Sequence, residues 1–101
     1  MIVIEVNVGP KIDYEVNNTK ITFDDELMLN LKKYEQDYPV SIDICADNNG
    51  NLGTSPAKRY VAQIEIPARE YEDIVEEGEV TGREPVPFNM DRVTLKLYSL
   101  E

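Results

Sequence analysis

The chain has 101 residues, with 20 acidic side chains against 10 basic ones, a net charge of −10, one cysteine and no histidine. The missing histidine excludes Ser-His-Asp and Cys-His nucleophile systems and imidazole metal ligation, and the single thiol excludes a cysteine zinc cage and a Cys-x-x-Cys redox pair. Surplus negative charge disfavours direct binding to nucleic acid or to an anionic membrane surface, both of which recruit Lys and Arg.

Residues 2–8 alternate, with Ile2, Ile4, Val6 and Val8 on one face and Val3, Glu5 and Asn7 on the other. That period of two predicts a half-buried strand, ended by Gly9-Pro10. Residues 12–16 alternate again, Asn17-Asn18 supplies a turn, and Lys20 to Phe23 returns, which predicts a small hairpin.

A helix is predicted over about 24–37. Asp24 is placed to cap it, and Asp25 and Glu26 put negative charge at its start. Phe23 and Met28 have the spacing of a hydrophobic staple. Leu27, Leu31, Tyr34 and Tyr38 recur at helical intervals, and Pro39 stops the run.

Val40 to Ala46 and Tyr60 to Ile66 alternate cleanly and predict two strands joined by the polar loop 47–56. Segment 67–84 has two readings. One is a helix running from Pro67 toward Gly78; the other is an extended arm, a turn near Glu77-Gly78 and a return through Glu79-Val80-Thr81. Pro85 to Phe88 reads as a rigid connector, and Arg92 to Tyr98 as a last strand with Val93, Leu95 and Leu97 inward. The expected fold is α+β, a mostly antiparallel sheet of about four to six strands packed on one principal helix. A parallel pairing of the terminal strands stays open. One compact domain is expected over 1–101, with the acidic segment 67–84 free to be mobile. No apolar run is long enough for a membrane helix, and one lone thiol suits a reducing cytoplasm.

Asp47, Asn49 and Asn51 have the alternate-oxygen spacing of a calcium loop, but Leu52 stands where the loop needs glycine and Lys58 where it needs a bidentate glutamate. A solvated turn explains the loop better. The glycines and hydroxyls of 50–55 lack the spacing of a phosphate-binding loop. Cys45 has no basic neighbour in sequence to activate it. The six tyrosines lie in acidic surroundings and read as core-rim or contact residues. A catalytic carboxylate pair needs a cleft that a domain of this size rarely builds.

The acidity is concentrated. Segment 70–84 carries a net −6 and 24–37 a net −3, whereas 38–69 and 85–101 balance to zero. The expectation is a non-enzymatic interaction or regulatory module that needs no cofactor. It meets a basic protein surface through Glu70, Glu72, Asp73, Glu76, Glu77 and Glu79. The alternatives are an orphan structural domain with a weak hard-cation loop at 47–51, or a small carboxylate-based enzyme.

Overall fold

The computed structural model describes residues 1–55, 57 and 59–101. Its strands, in chain order, are β1 (Ile2–Glu5), β2 (Tyr14–Asn17), β3 (Lys20–Phe23), β4 (Leu27–Asn30), β5 (Val40–Ala46), β6 (Leu52–Gly53), β7 (Arg59–Ile66), β8 (Tyr71–Glu76), β9 (Glu79–Pro85) and β10 (Thr94–Leu97). Short 3-10 turns occupy Leu31–Tyr34 and Met90–Arg92. Strand accounts for 51% of the structure and helical turns for 7%. The fold is therefore mostly β, and the expected α+β sheet on a principal helix is overturned.

The expected helix at 24–37 is instead a tight turn, strand β4 and one 3-10 turn. Asp24 and Asp25 have φ of 51° and 54°, and the Glu26 N–H donates to the Phe23 carbonyl at 2.9 Å. Two left-handed central residues make a hairpin turn whose twist matches the flanking strands. Asp tolerates that conformation better than most side chains, so the two residues that look like a helix start reverse the chain. Phe23 then pairs with Leu27 and Ile21 with Leu29. The apolar run is read with a period of two: Leu29 and Leu31 are buried while Met28 is exposed.

Five strands form the main sheet in the order β1-β10-β7-β5-β6, and β2-β3-β4 form a second sheet. The terminal strands β1 and β10 are parallel neighbours; β10-β7, β5-β7 and β5-β6 are antiparallel. Ile21, Phe23 and Leu29 from the small sheet join Ile42, Ile44, Ile64, Ile66, Leu95 and Leu97 from the large one in a single core. Each set comes from alternate positions of its strand, which is what packing one sheet face on another requires. A register shift between Ile44 and Cys45 breaks the alternation. Both residues are buried as a result, so the free thiol of Cys45 is enclosed in the protein.

The first strand departs from expectation. Cross-strand partners share a face, and Ile2 and Ile4 pair with Thr94 and Lys96, on the side of the sheet away from the core. Ile2, Ile4, Val6 and Val8 are all exposed, so their shared face is not the half-buried one expected. The polar side of the sheet is held by Gln63 donating to Asp43 at 2.9 Å and Lys96 donating to Glu65 at 2.8 Å.

Of the two readings of 67–84, the structure has the extended one. Strands β8 and β9 make a two-stranded ribbon that joins neither sheet. Nearly all of its residues are exposed. The molecule is correspondingly long, 60 × 23 × 22 Å, with a radius of gyration of 16.8 Å against about 13 Å for a compact chain of this length. Glu77 and Gly78 turn the ribbon with φ of 51° and 80°. Glycine adopts that backbone freely; a glutamate pays about 1 kcal/mol for it, and asparagine pays less. Glu77→Asn is therefore expected to slow amide hydrogen exchange in β8 and β9, by up to about fivefold for ~1 kcal/mol of added hairpin stability, with exchange in β5 and β7 unchanged.

Candidate functional site

The ribbon turns the most concentrated charge of the chain into a shaped surface. Its register pairs Glu72 with Glu84, Asp73 with Arg83, Ile74 with Gly82, Val75 with Val80 and Glu76 with Glu79. Cross-strand partners lie on one face. One face therefore presents Glu72, Glu84, Glu76 and Glu79 around Ile74. The other presents Tyr71, Asp73, Arg83, Val75 and Val80, with the Arg83 guanidinium 5.2 Å from the Tyr71 ring centroid. The Tyr71–Arg83 contact has the geometry of a cation–π pair.

This register sorts the carboxylates expected to act together. Glu72, Glu76 and Glu79 share a face, and Glu84 joins them. Asp73 lies on the opposite face, across from Arg83. Glu70 is held at the root of the ribbon by Arg92 at 2.9 Å. Glu77 is the turn residue. Among the described residues none of the four face carboxylates has an ion-pair partner, while all six ion pairs lie elsewhere. Glu84 belongs to the acidic stretch in sequence, but only the register shows it opposite Glu72. The two-residue turn makes Glu76 and Glu79 neighbours, but counted back from it alone Glu72 would fall opposite Arg83; the shift between Ile74 and Val75 brings Glu84 there, and nothing in the sequence signals that shift.

The root is built from the body outward. The Arg69 N–H donates to the Gln36 carbonyl at 2.7 Å, and its guanidinium reaches the Glu35 carboxylate at 3.4 Å, the Glu35 carbonyl at 3.0 Å and Asp37 at 3.3 Å. Tyr71 donates its hydroxyl to the same Asp37 carboxylate. Tyr71 above all, then Glu35 and Asp37, hold Arg69 above the ordinary arginine range. The ribbon thus leaves the body from a polar clasp, and its first residues have a fixed direction.

The loop at 47–51 uses its oxygens differently from a cation site. One Asp47 carboxylate oxygen accepts the N–H groups of Asn49 and Asn51, each at 2.9 Å, and the other faces the Asn51 side-chain amide at 3.4 Å. The Asp47 N–H donates to the Asn51 carbonyl and the Gly50 N–H to the Asp47 carbonyl. The spacing that suits calcium here serves a side-chain-capped turn. Among the described residues no group of three or more His, Cys, Asp or Glu is placed to hold a metal. Lys58, the poor match at the twelfth loop position, lies outside the described residues. The Leu52 N–H in the same loop donates to the Glu26 carboxylate at 2.7 Å, so a carboxylate already sits where a phosphate-binding reading would put an anion.

The backbone hydrogen bond from Asn51 lowers the Asp47 pKa most, against a partly opposing desolvation, and the Asn49 bond adds to it. The folded value lies below the unfolded one, so the contribution to loop order is complete above the ordinary aspartate range. It is lost as pH falls through the lowered folded value. Acidification is thus expected to speed exchange of the Asn49 and Asn51 amides, relative to their intrinsic rates, below about pH 4. Asp47→Ala should give the fast exchange at every pH.

A carboxylate-lined depression of about 360 Å³ lies at the far sheet, between Asp13, Tyr14, Glu15, Thr22, Asp24 and Asp25. It is open and polar, lined by four acids and one phenol. Among the described residues no helix is long and apolar enough to cross a membrane. Compared with protein-family models, with curated proteins and with solved structures, the chain matches none.

Proposed function

We infer that this protein is a non-enzymatic interaction module whose β8–β9 ribbon presents a carboxylate face to a basic protein surface. One observation carries the proposal. Glu72 opposes Glu84 and Glu76 opposes Glu79 on an exposed ribbon. Directly opposed like charges destabilise a sheet pair by some tenths of a kcal/mol to about 1 kcal/mol each. An isolated two-stranded ribbon is already marginal in water. Glutamates also keep the ribbon's edges from pairing, and the four-carboxylate face they form, unpaired among the described residues, is a surface that a partner of opposite charge would recognise. The lone buried thiol accords with work in a reducing cytoplasm.

The test is titration of an oligolysine peptide against the protein at low and high salt. Loss of binding in the Glu72→Gln, Glu76→Gln, Glu79→Gln, Glu84→Gln variant supports the proposal. Equal loss on neutralising Asp13, Glu15, Asp24 and Asp25 overturns it in favour of undirected acidity.

A further inference from the structure

We propose that two copies of this chain pair through β1, antiparallel across a two-fold axis, to join their main sheets edge to edge. Strand β1 closes one side of that sheet. The N–H groups of Ile2 and Val6 donate to the Val93 and Leu97 carbonyls at 2.8 and 2.9 Å. Backbone groups alternate sides along a strand, so the N–H and C=O of Val3 and Glu5 face the free edge. The side chains beside them are apolar and uncovered: Ile2 is 53% exposed, Val3 43%, Ile4 43% and Val6 47%.

An exposed edge is normally blunted by proline, by charge, by a bulge or by brevity. Among the described residues β6 is two residues long, β2 carries Glu15 within the strand, and β8 and β9 are lined with glutamates. The edge strand β4 also lacks charge and proline, but only its Met28 is exposed, whereas every residue of β1 is. Strand β1 has Glu5 alone, at its end, with Lys11 3.9 Å away.

Charge selects the occupant and the direction. Two chains of −10 repel, but residues 1–12 balance to zero through Glu5 and Lys11, so the β1 edge is a surface on which a second copy can approach. The acidic ribbon is rooted toward the Met1 end of β1. Arg92 holds Glu70, and its neighbour Asp91 lies 3.8 Å from the Met1 amino group. Antiparallel pairing puts the two roots at opposite ends of the joined strands, roughly 15–20 Å apart at about 3.4 Å per residue, beyond the ~8–10 Å screening length. It is also the pairing a closed two-fold edge contact requires. Setting Ile4 against Ile4 of the second copy brings Ile2 against its Val6, and pairs the free groups of Val3 with those of Glu5. Ile2, Ile4 and Val6 on the outer face then meet apolar partners.

The test is sedimentation of the full chain across concentration, up to about 1 mM, where even a millimolar interface is substantially filled. Twice the chain mass is expected for the parent. Val3→Pro removes a donor that makes no bond among the described residues, and Ile4→Lys sets like charges together at the axis; both are expected to sediment as single chains with unchanged circular dichroism. Amide exchange of the parent gives an independent reading, with Val3 and Glu5 protected at high concentration and unprotected on dilution. A parent that stays a single chain at 1 mM overturns the proposal and leaves the edge for a strand of another protein. A dimer that survives both substitutions, or whose Val3 and Glu5 amides exchange freely, overturns it equally.

Discussion

Phe23→Ala is expected to lower stability by about 3–5 kcal/mol, and Leu29→Ala by about 2–5 kcal/mol, while Met28→Ala changes it by less than about 0.5 kcal/mol. Phe23 is fully enclosed and Leu29 nearly so, whereas Met28 is 58% exposed. Each kcal/mol moves the melting midpoint by about 4–8 °C in a domain of this size, so thermal or urea unfolding separates the three. A chain with a helix over 24–37 would rank them differently. Its apolar stripe is Leu27, Met28, Leu31, Tyr34 and Tyr38, with Met28 on the core side and Leu29 turned away. A large loss at Met28 with a small one at Leu29 would refute strand β4.

That ranking locates what the sequence could and could not disclose. Strands with a strict alternation of large apolar and polar residues were legible: Ile42 and Ile44, Ile64 and Ile66, and Leu95 and Leu97 all face the core as their spacing indicates. A period of two held over five or more residues has no helical counterpart. Leu27 to Leu31 is too short and too uniformly apolar for that test, since Leu27 and Leu31 satisfy both periods. The flanking Asp24-Asp25 suits either a helix start or a left-handed turn. What decides is non-local. Strand β3 offers a ladder, with Lys20 opposite Asn30 and Ile21 opposite Leu29, and the Thr19 hydroxyl bonds Asn30 at 2.9 Å. Tertiary pairing overrides a weak local preference.

The first strand failed for a related reason. Alternation identifies two faces but not which of them meets the core. On an edge strand both can be open, as Ile2 at 53% and Val3 at 43% exposure demonstrate. For the candidate site, the location of the charge was plain in the sequence, because −6 falls within 70–84. The face was not, because it depends on a register set by the Glu77-Gly78 turn and a shift between Ile74 and Val75. The ion pair of Glu70 with Arg92 and the pairing of Asp73 with Arg83 likewise join residues whose proximity only the fold creates.

The fourfold Gln variant of the ribbon face is expected to show two opposite effects at once. Binding of oligolysine should weaken by at least about fourfold. Four exposed charge pairs at about 0.2–1 kcal/mol each amount to about 0.8–4 kcal/mol, and 1.4 kcal/mol is one factor of ten. The ribbon itself should become more stable, because the Glu72–Glu84 and Glu76–Glu79 repulsions are gone. Slower amide exchange in β8 and β9 reads that second effect, and exchange in β5 and β7 serves as the reference. Added salt should reproduce both changes in the parent protein, since screening weakens attraction to the peptide and repulsion within the ribbon alike. The variant should be nearly insensitive to salt in both measurements. Tighter or unchanged peptide binding would remove the carboxylate face from the proposed function. Faster exchange in the ribbon would show that these glutamates stabilise it, and the repulsive cost assigned to the opposed pairs would then vanish.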